Sequence, residues 1–179
     1  MNLETFLESE RIYLRALNES DIKGNYALWL NDPEITYFNA HGRFPMTEDK
    51  LLSYISSVNS SKSDLVLAII DRTNNQHIGN ISLQNINWID SNAEIAFLLG
   101  DKSYWGKGIM YEAGCLMVNH GFKFLNLHRI YCGTSVVNLG MQKLAEKLGM
   151  RKEGLRRHAI FKHGQYVDIV EYGILSSEL

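Results

Sequence analysis

Two glycines, Gly106 and Gly108, lie at the junction between a short apolar segment and a long helical pattern. Residues 93–99 are mostly apolar and are followed by Gly100, which is typical of a largely buried strand. The first backbone N–H groups of a helix have no partner within the helix and bind phosphate oxygens well. A residue without a Cβ also lets a ligand approach the backbone closely. The junction therefore predicts a pyrophosphate-binding site. Apolar residues continue the helical spacing at Ile109, Ala113, Leu116, Met117 and Phe124.

An ordinary strand-to-helix turn also uses glycine, so the pair by itself is not specific. The dinucleotide fingerprint G-x-G-x-x-G would need a glycine where Tyr111 stands, and no acidic residue occurs between Ala113 and Ala145. The chain also lacks the G-x-x-x-x-G-K-[ST] motif of nucleotide triphosphatases. Both of these nucleotide-binding classes are therefore disfavoured.

The amino-terminal third predicts one strand and two helices. Residues 10–17 alternate as a half-exposed strand, and Asn18 or Ser20 begins a helix that ends before Pro33. Thr47 begins a second helix. The first helix has one apolar face of Ile22, Tyr26, Trp29 and Leu30, and the second has one of Leu51, Tyr54, Ile55 and Val58.

The middle and end of the chain predict the rest of a mixed sheet. Residues 65–70 and 77–83 form a hairpin that leads into the strand at 93–99. After the long helix, residues 129–137 form a parallel partner of that strand through a helical crossover. Asn138 begins a helix that ends at Gly149, with Met141, Leu144, Ala145 and Leu148 on its inner face. Two last strands are expected near residues 151–161 and 166–175.

The composition is that of a single globular domain spanning residues 1–179. Hydrophobic residues make up 45% and charged residues 21% of the chain, and 18 basic against 20 acidic residues leave a net charge of −2. This balance does not favour nucleic acid as a partner. No tract is long enough to span a membrane, and residues 1–6 lack the features of a signal peptide. We therefore expect a cytoplasmic protein without a membrane partner.

The two cysteines, Cys115 and Cys132, fall in the long helix and in the strand that follows it. In a reducing compartment we expect two buried thiols rather than a disulfide. Together with His120 and His128 they do not match the usual spacing of zinc ligands, so we expect no metal site.

Residues 104–113, with the sequence Tyr-Trp-Gly-Lys-Gly-Ile-Met-Tyr-Glu-Ala, resemble the acyl-CoA signature of the GNAT N-acetyltransferases, and specifically of their Rim-type branch. The superfamily pattern Q/R-x-x-G-x-G/A is matched from Ser103 to Gly108, with Ser103 in place of the leading Gln or Arg. The order of predicted elements is also that of the family. The resemblance implies an α/β (α+β) GNAT fold, whose mixed sheet of about six to seven strands, flanked by about four helices, is splayed at the acyl-CoA site.

The resemblance further implies that acetyl-CoA is the cosubstrate and that acetyl is transferred directly to an amine. It places Glu94 as a candidate base, against the alternative of a structural carboxylate. It places Asn138 at the cofactor arm or at a catalytic water, against plain helix capping. Lys107 and Lys143 would add charge near phosphate, unless they are simply solvated. The remaining implied cofactor-binding residues are Phe97, Leu98, Leu99, Tyr104, Trp105, Gly106, Gly108 and Ile109.

The position of the general acid is left open by the sequence. Many relatives carry a tyrosine where this chain has Ala145, and Rim-type enzymes often carry a serine where it has Met141. Either the thiolate leaves without a side-chain acid, or the acid comes from elsewhere, or the protein is a weak catalyst.

Residues 34–45 form a long polar and aromatic loop that we expect to contribute to the acceptor site, unless its rings only pack it onto the core. The expected acceptor is a small amine such as an amino-sugar nucleotide, with a protein N-terminus and a polyamine as alternatives. A silent acyl-CoA-binding domain is the alternative from another class, and a homodimer through the last strands is a further hypothesis. The expected acceptor-binding residues are Tyr37, Phe38, Asn39 and His41.

Overall fold

The computed structural model describes residues 5–39 and 41–179. Residues 1–4, which belong to the segment used above to argue against a signal peptide, lie outside this part. So does Ala40, within the predicted acceptor loop. The described residues form one eight-stranded sheet with the order β1-β2-β3-β4-β5-β6-β8-β7. Its strands are β1 (Leu7–Glu8), β2 (Ile12–Ala16), β3 (Leu65–Asp71), β4 (His77–Asn87), β5 (Asn92–Leu99), β6 (Arg129–Ser135), β7 (Arg151–Lys162) and β8 (Gln165–Leu175).

Helices cover both faces of the sheet. One face packs against α3 (Ile109–Lys123) and α4 (Leu139–Lys147) in a core that includes Met117, Ala145 and Ile130. The other face packs against α1 (Tyr26–Asn31) and α2 (Glu48–Ser60) in a second core that includes Trp29 and Ile55. Short 3₁₀ segments span Glu19–Lys23, Lys102–Tyr104 and Ser176–Glu178. In the part of the chain with described structure, every helix is too short or too polar to span a lipid bilayer.

The predicted succession of elements and the mixed sheet are confirmed. Thr47 accepts a hydrogen bond from the Lys50 N–H at the start of α2, and Asn138 accepts one from the Met141 N–H at the start of α4. The eighth strand is the two-residue β1, which is too short to give a sequence pattern. Asn18 acts as a cap, as expected, but the element that it caps is the 3₁₀ segment and not an α-helix.

Three sequence predictions are wrong in detail. The first predicted helix is broken into the 3₁₀ segment and α1, because the chain is extended at Gly24 and glycine disfavours helix. The long helix ends at Lys123, so Phe124 lies beyond it and is 72% exposed. Cys115 is exposed rather than buried, whereas Cys132 is buried as expected. Among the described residues, no cluster of three potential metal ligands occurs.

The sheet opens between its two parallel strands. β5 and β6 pair only at Asn92↔Arg129, Ala93↔Ile130 and Glu94↔Tyr131. Beyond this point β5 stays paired with β4 as far as Leu99, and β6 stays paired with β8 as far as Ser135. The facing edges of β5 and β6 are therefore left without a neighbouring strand, and the splay that the family resemblance implies is present.

A buried ion pair joins β2 to the turn that follows it. Two nitrogens of Arg15 donate to the two carboxylate oxygens of Asp21 at 2.9 and 2.6 Å, and the Asn18 N–H donates to the same carboxylate at 2.9 Å. His77 lies on its other side, with Nδ1 3.3 Å from Asp21. Burial raises the pKa of Asp21, but the hydrogen bonds from Arg15 and His77 outweigh it and hold the pKa well below its usual range. The carboxylate is therefore charged throughout the physiological range.

Replacing Asp21 by Asn should lower the free energy of unfolding at neutral pH by about 3 kcal/mol, because it removes the charge that compensates the buried Arg15. The folded-state pKa of Asp21 is depressed, so its stabilisation is present above the unfolded pKa of about 3.9 and is lost as the pH falls below that value. Urea denaturation at neutral and acidic pH measures both effects. The exposed Asp49→Asn variant is the control, and equal destabilisation by the two substitutions would contradict the assignment.

Candidate functional site

The loop between β5 and α3 has the backbone geometry of an anion site. Gly106 and Gly108 adopt left-handed conformations, with φ of 74° and 79°, and Gly108 is the residue that caps α3. A Cβ on Gly106 would meet no protein atom within 4 Å, so this loop has open space beside it. The first N–H groups of α3 have no acceptor within the helix. Together these features suit the binding of phosphate oxygens.

Arg11 and Glu112 fix this loop to the amino-terminal strand region. Arg11 Nη1 donates to the Lys107 carbonyl at 2.9 Å, and Arg11 Nε donates to Glu112 Oε2 at 2.6 Å. Glu112 Oε1 also accepts from the Arg11 N–H at 3.0 Å and from Ser9 Oγ at 2.5 Å. Sequence reasoning did not identify this clamp. The acidic residue in the first turn of α3 was the available signal, because the helix dipole stabilises a negative charge there.

The side chains of Tyr104 and Trp105 brace the other side of the loop. The Tyr104 hydroxyl donates to Asp71 Oδ2 at 2.6 Å, and Trp105 Nε1 donates to the Leu99 carbonyl at 3.0 Å. The Lys107 ammonium lies 5.5 Å from the centre of the Tyr104 ring. Both aromatic side chains are thus engaged within the protein, and the backbone of the loop is the part that is left to face a ligand.

Phe97, Leu98 and Leu99 lie on β5 beyond its last pairing with β6. Phe97 packs toward the core under α3 and α4, and Leu98 packs toward the core under α1 and α2. Because the side chains of Phe97 and Leu98 are directed to the two cores, the groups that these two residues expose toward the splay are those of the backbone. A thioester arm can be held there by hydrogen bonds of the same kind as those of a strand.

Asn138 caps α4, and Lys143 lies on that helix. The Asn138 Oδ1 accepts the Met141 N–H at 3.2 Å, so the capping role is present, and Lys143 is exposed. Ala145, at the position of the expected tyrosine, is fully buried in the core. This part of α4 therefore supplies packing at the position where many relatives have a proton donor.

Glu94 lies at the last paired position before the strands separate. Burial raises its pKa, a hydrogen bond from Asn85 Nδ2 at 3.5 Å opposes this, and the charges of Glu171 and Arg156 act in opposite directions, leaving the pKa above its usual value. A half-buried carboxylate with a raised pKa is a better proton acceptor than a typical surface glutamate.

Two residues near Glu94, Tyr131 and Glu171, were missed by sequence reasoning. Tyr131 stands opposite Glu94 on β6, and Glu171 stands opposite Gly133 on β8. Arg156 on β7 forms an ion pair with Glu171, and both side chains lie within 3.3 Å of where a Cβ on Gly133 would be. Burial and the charge of Glu94 raise the pKa of Tyr131, so its hydroxyl stays protonated. Nothing in the spacing along the chain links these residues, because only the register of three strands brings them together.

The predicted acceptor loop lies against the β7–β8 hairpin. Tyr37 and Phe38 line a small pocket there, and the Tyr37 ring stacks on His163 with centroids 4.3 Å apart. His41 lines a larger cavity beside it. Asn39 lines neither, and its Oδ1 accepts the His41 N–H at 2.9 Å, so its contact is within the loop.

Comparison with known proteins agrees with this geometry. Residues 11–151 match the family described as "Acetyltransferase (GNAT) domain". The uncharacterized N-acetyltransferase p20 of Bacillus licheniformis is 29% identical over 174 residues, which cover 96% of this chain and 97% of that protein. The putative ribosomal N-acetyltransferase YdaF of Bacillus subtilis (strain 168) is 31% identical over 100 residues, covering 56% of this chain and 54% of that protein.

Among solved structures, the spermidine N-acetyltransferase of Vibrio cholerae in complex with CoA and spermine has the same fold. The TM-score is 0.86 at 24% identity, with 95% of this chain and 98% of that chain covered. The match extends over nearly the whole chain, so the two proteins share the overall fold.

Replacing Gly106 by Ala should weaken coenzyme A binding about tenfold or more, because the new methyl group projects into the open space beside the loop and the left-handed backbone is strained. Gly164→Ala is a matched control, since Gly164 has a φ of 80° and also no protein atom within 4 Å of a Cβ. Both variants should lose about 1 kcal/mol of stability. Isothermal titration should show weaker binding only for Gly106→Ala, and equal affinities in the two variants would argue against a cofactor at this loop.

Proposed function

Because this chain belongs to the GNAT acetyltransferase family and is an acetyl-CoA-dependent N-acetyltransferase, we propose that it acetylates the primary amine of a small acceptor such as an amino-sugar nucleotide. Acetyl passes directly from the thioester to the amine in a ternary complex. The observation that supports this proposal is the position of Glu94 at the point where β5 and β6 separate, on the strand that leads into the glycine loop.

The cofactor side of the proposed site is built mainly from backbone. The N–H groups of the glycine loop and of Ile109 bind the pyrophosphate, with Lys107 and Lys143 adding positive charge. The backbone of residues 97–99 holds the pantetheine arm and polarises the thioester carbonyl. The open edge of β5 and the open space beside Gly106 fit such a ligand. Asn138 lies beside the arm, where its side chain can hold a water while its Oδ1 caps α4.

The acceptor side must supply a neutral amine, because a protonated amine has no free electron pair with which to attack the thioester. Glu94 accepts this proton, directly or through a water, and its raised pKa makes it a better proton acceptor. Glu171 lies near the same point, but Arg156 compensates its charge, so Glu94 is the carboxylate that meets the ammonium form of the acceptor before the proton is lost.

Two other acceptors have support from relatives rather than from this site. The relative YdaF is described as a putative ribosomal N-acetyltransferase, and the Vibrio cholerae enzyme is a spermidine N-acetyltransferase. A protein N-terminus and a polyamine therefore stay as alternatives to the small amine. A homodimer also stays a prediction, and β7 would be its place because it is an edge strand with exposed Leu155 and Phe161.

The release of free thiol from acetyl-CoA, measured with amino-sugar nucleotides, N-terminal peptides and polyamines, tests the proposal. We expect release that depends on an amino-sugar nucleotide and is slow with the other two classes. Release that depends only on a peptide or only on a polyamine would replace the proposed acceptor. If no amine supported release while coenzyme A still bound, the proposed reaction would be wrong and the silent acyl-CoA-binding domain would be the better description.

Replacing Glu94 by Gln should lower kcat about 100-fold or more, because the proton acceptor is lost while the shape is kept. Coenzyme A affinity should stay unchanged. Only the ionised carboxylate accepts a proton, so the wild-type rate should fall as the pH is lowered through the pKa of Glu94. Because this pKa is raised, the fall should occur at a higher pH than it would for an ordinary glutamate.

The pH profile of kcat/KM separates this role from a structural one. The variant should lack the acidic limb that the wild type shows, and the exposed Glu19→Gln control should keep both the limb and the rate. An unchanged acidic limb in Glu94→Gln would assign the titration to another group and would leave Glu94 as a structural carboxylate.

A further inference from the structure

A cavity of about 450 Å³ lies between the loop that follows α1 and the β7–β8 hairpin. The loop contributes Thr36, His41 and Arg43 to its wall, and the hairpin contributes Phe161, Lys162 and His163. Two contacts join the two sides: Arg43 Nη2 donates to the Phe161 carbonyl at 3.1 Å, and Lys162 Nζ donates to the Thr36 carbonyl at 2.9 Å.

The charged residues that line this cavity are all basic. Among the described residues no carboxylate lies within ion-pair distance of Arg43 or Lys162, and both donate only to neutral carbonyls. Burial and the charge of Arg43 lower the pKa of Lys162, which shows that the cations repel each other. A cavity with this unbalanced positive charge is suited to an anion.

The cavity continues toward the reacting end of the site. Lys162 and His163 also line the small pocket of Tyr37 and Phe38, whose far wall includes Ser135 and Val137. Ser135 is the last residue of β6, the strand that forms one side of the splay. An acceptor whose amine lies in the splay would therefore extend past Tyr37 and Phe38 to reach the basic groups.

The spacing along β8 sets the length of such an acceptor. Val167 lines the small pocket, and Glu171, near the proposed proton acceptor, is four residues further along the strand. At a strand rise of about 3.3 Å per residue this separation is about 13 Å. An amine at Glu94 and an anion in the cavity therefore belong to an extended molecule rather than to a compact one.

We propose that this cavity binds a phosphate group of the acceptor, so that the acceptor is an extended, phosphate-bearing amine whose middle part lies in the small pocket lined by Tyr37 and Phe38. The inference rests on the proposed function and narrows its acceptor class. The guanidinium of Arg43 and the ammonium of Lys162 are the groups that proteins use to bind phosphate, one through a planar fork and the other as a point charge. The same charges oppose a polyamine, because a polycation would meet only like charge there.

Direct binding of pyrophosphate to the protein already saturated with coenzyme A tests the site without using activity. Saturation fills the glycine loop, so the remaining binding belongs elsewhere. We expect the wild type to bind, and Arg43→Gln and Lys162→Gln each to weaken binding about tenfold. Lys152→Gln, on the same strand as Lys162 but away from the cavity, should bind as the wild type does.

One further variant and a measurement of folding separate the effect of lost charge from that of lost folding. Lys162→Arg keeps the charge and should keep most of the affinity, and thermal unfolding should show that both glutamine variants are folded. No binding by the wild type, or equal binding by the wild type and both glutamine variants, would overturn the proposed phosphate site. Tighter binding of spermine than of pyrophosphate would overturn it as well.

The kinetic readout distinguishes failure of this site from failure of the proposed reaction. For an amino-sugar nucleotide, kcat/KM should fall about tenfold in Lys162→Gln, whereas for the matching amino sugar without phosphate it should not change. Equal effects on both amines would leave the transferase intact and overturn the phosphate site. If the glutamine variants bound pyrophosphate more weakly but neither amine was acetylated, the cavity would still be an anion site. Its assignment to the acceptor would then be wrong. If Lys162→Gln lowered kcat/KM only for an acidic N-terminal peptide, the acceptor would be a protein and the proposal would be wrong.

Discussion

The separation of β5 from β6 after a single short stretch of pairing is the constraint on which the rest of the site depends. Three paired positions, ending at Glu94 and Tyr131, tie the two halves of the sheet together. Beyond them each strand keeps only its outer neighbour, so backbone groups that a continuous sheet would use internally are free for a ligand. Phe97 and Leu98 are directed into different cores, so β5 stays anchored on both faces of the sheet while its edge is open.

The charges around this opening are divided between two places. Glu94 lies where the strands begin to separate, near a Glu171 that is paired with Arg156, and the cations of Arg43 and Lys162 lie between the loop after α1 and the hairpin. The division fits a molecule with an amine at one end and an anion at the other better than it fits a uniformly charged one. The net charge of −2 over the whole chain conceals this arrangement, since it averages over both places.

Local patterns allowed much of the fold to be predicted. The glycines before α3, the caps at Thr47 and Asn138 and the parallel crossover all depend on residues close in the sequence, and the structure confirms them. The break in the first predicted helix could not be seen in the sequence pattern. The apolar spacing continues across Gly24, whereas the helical backbone is interrupted there. The exposure of Cys115 depends on which side of α3 faces the sheet, and a single residue within a helical pattern does not decide this. The groups around Glu94 come from strands that are distant in the sequence, so only the register reveals them.

The glycine loop is assembled from three parts of the chain. Arg11 holds the Lys107 carbonyl across 96 residues, and Asp71 holds Tyr104 across 33 residues. Contacts between such distant segments form late in folding, because the entropy of closing long loops must be overcome before they contribute. The loop can therefore bind its ligand only when the first strands and the β3–β4 turn are already in place. During synthesis, a chain that has just completed α3 holds every residue of the loop, but its capacity to retain a nucleotide-bearing ligand arises from the folding of the whole domain rather than from that segment.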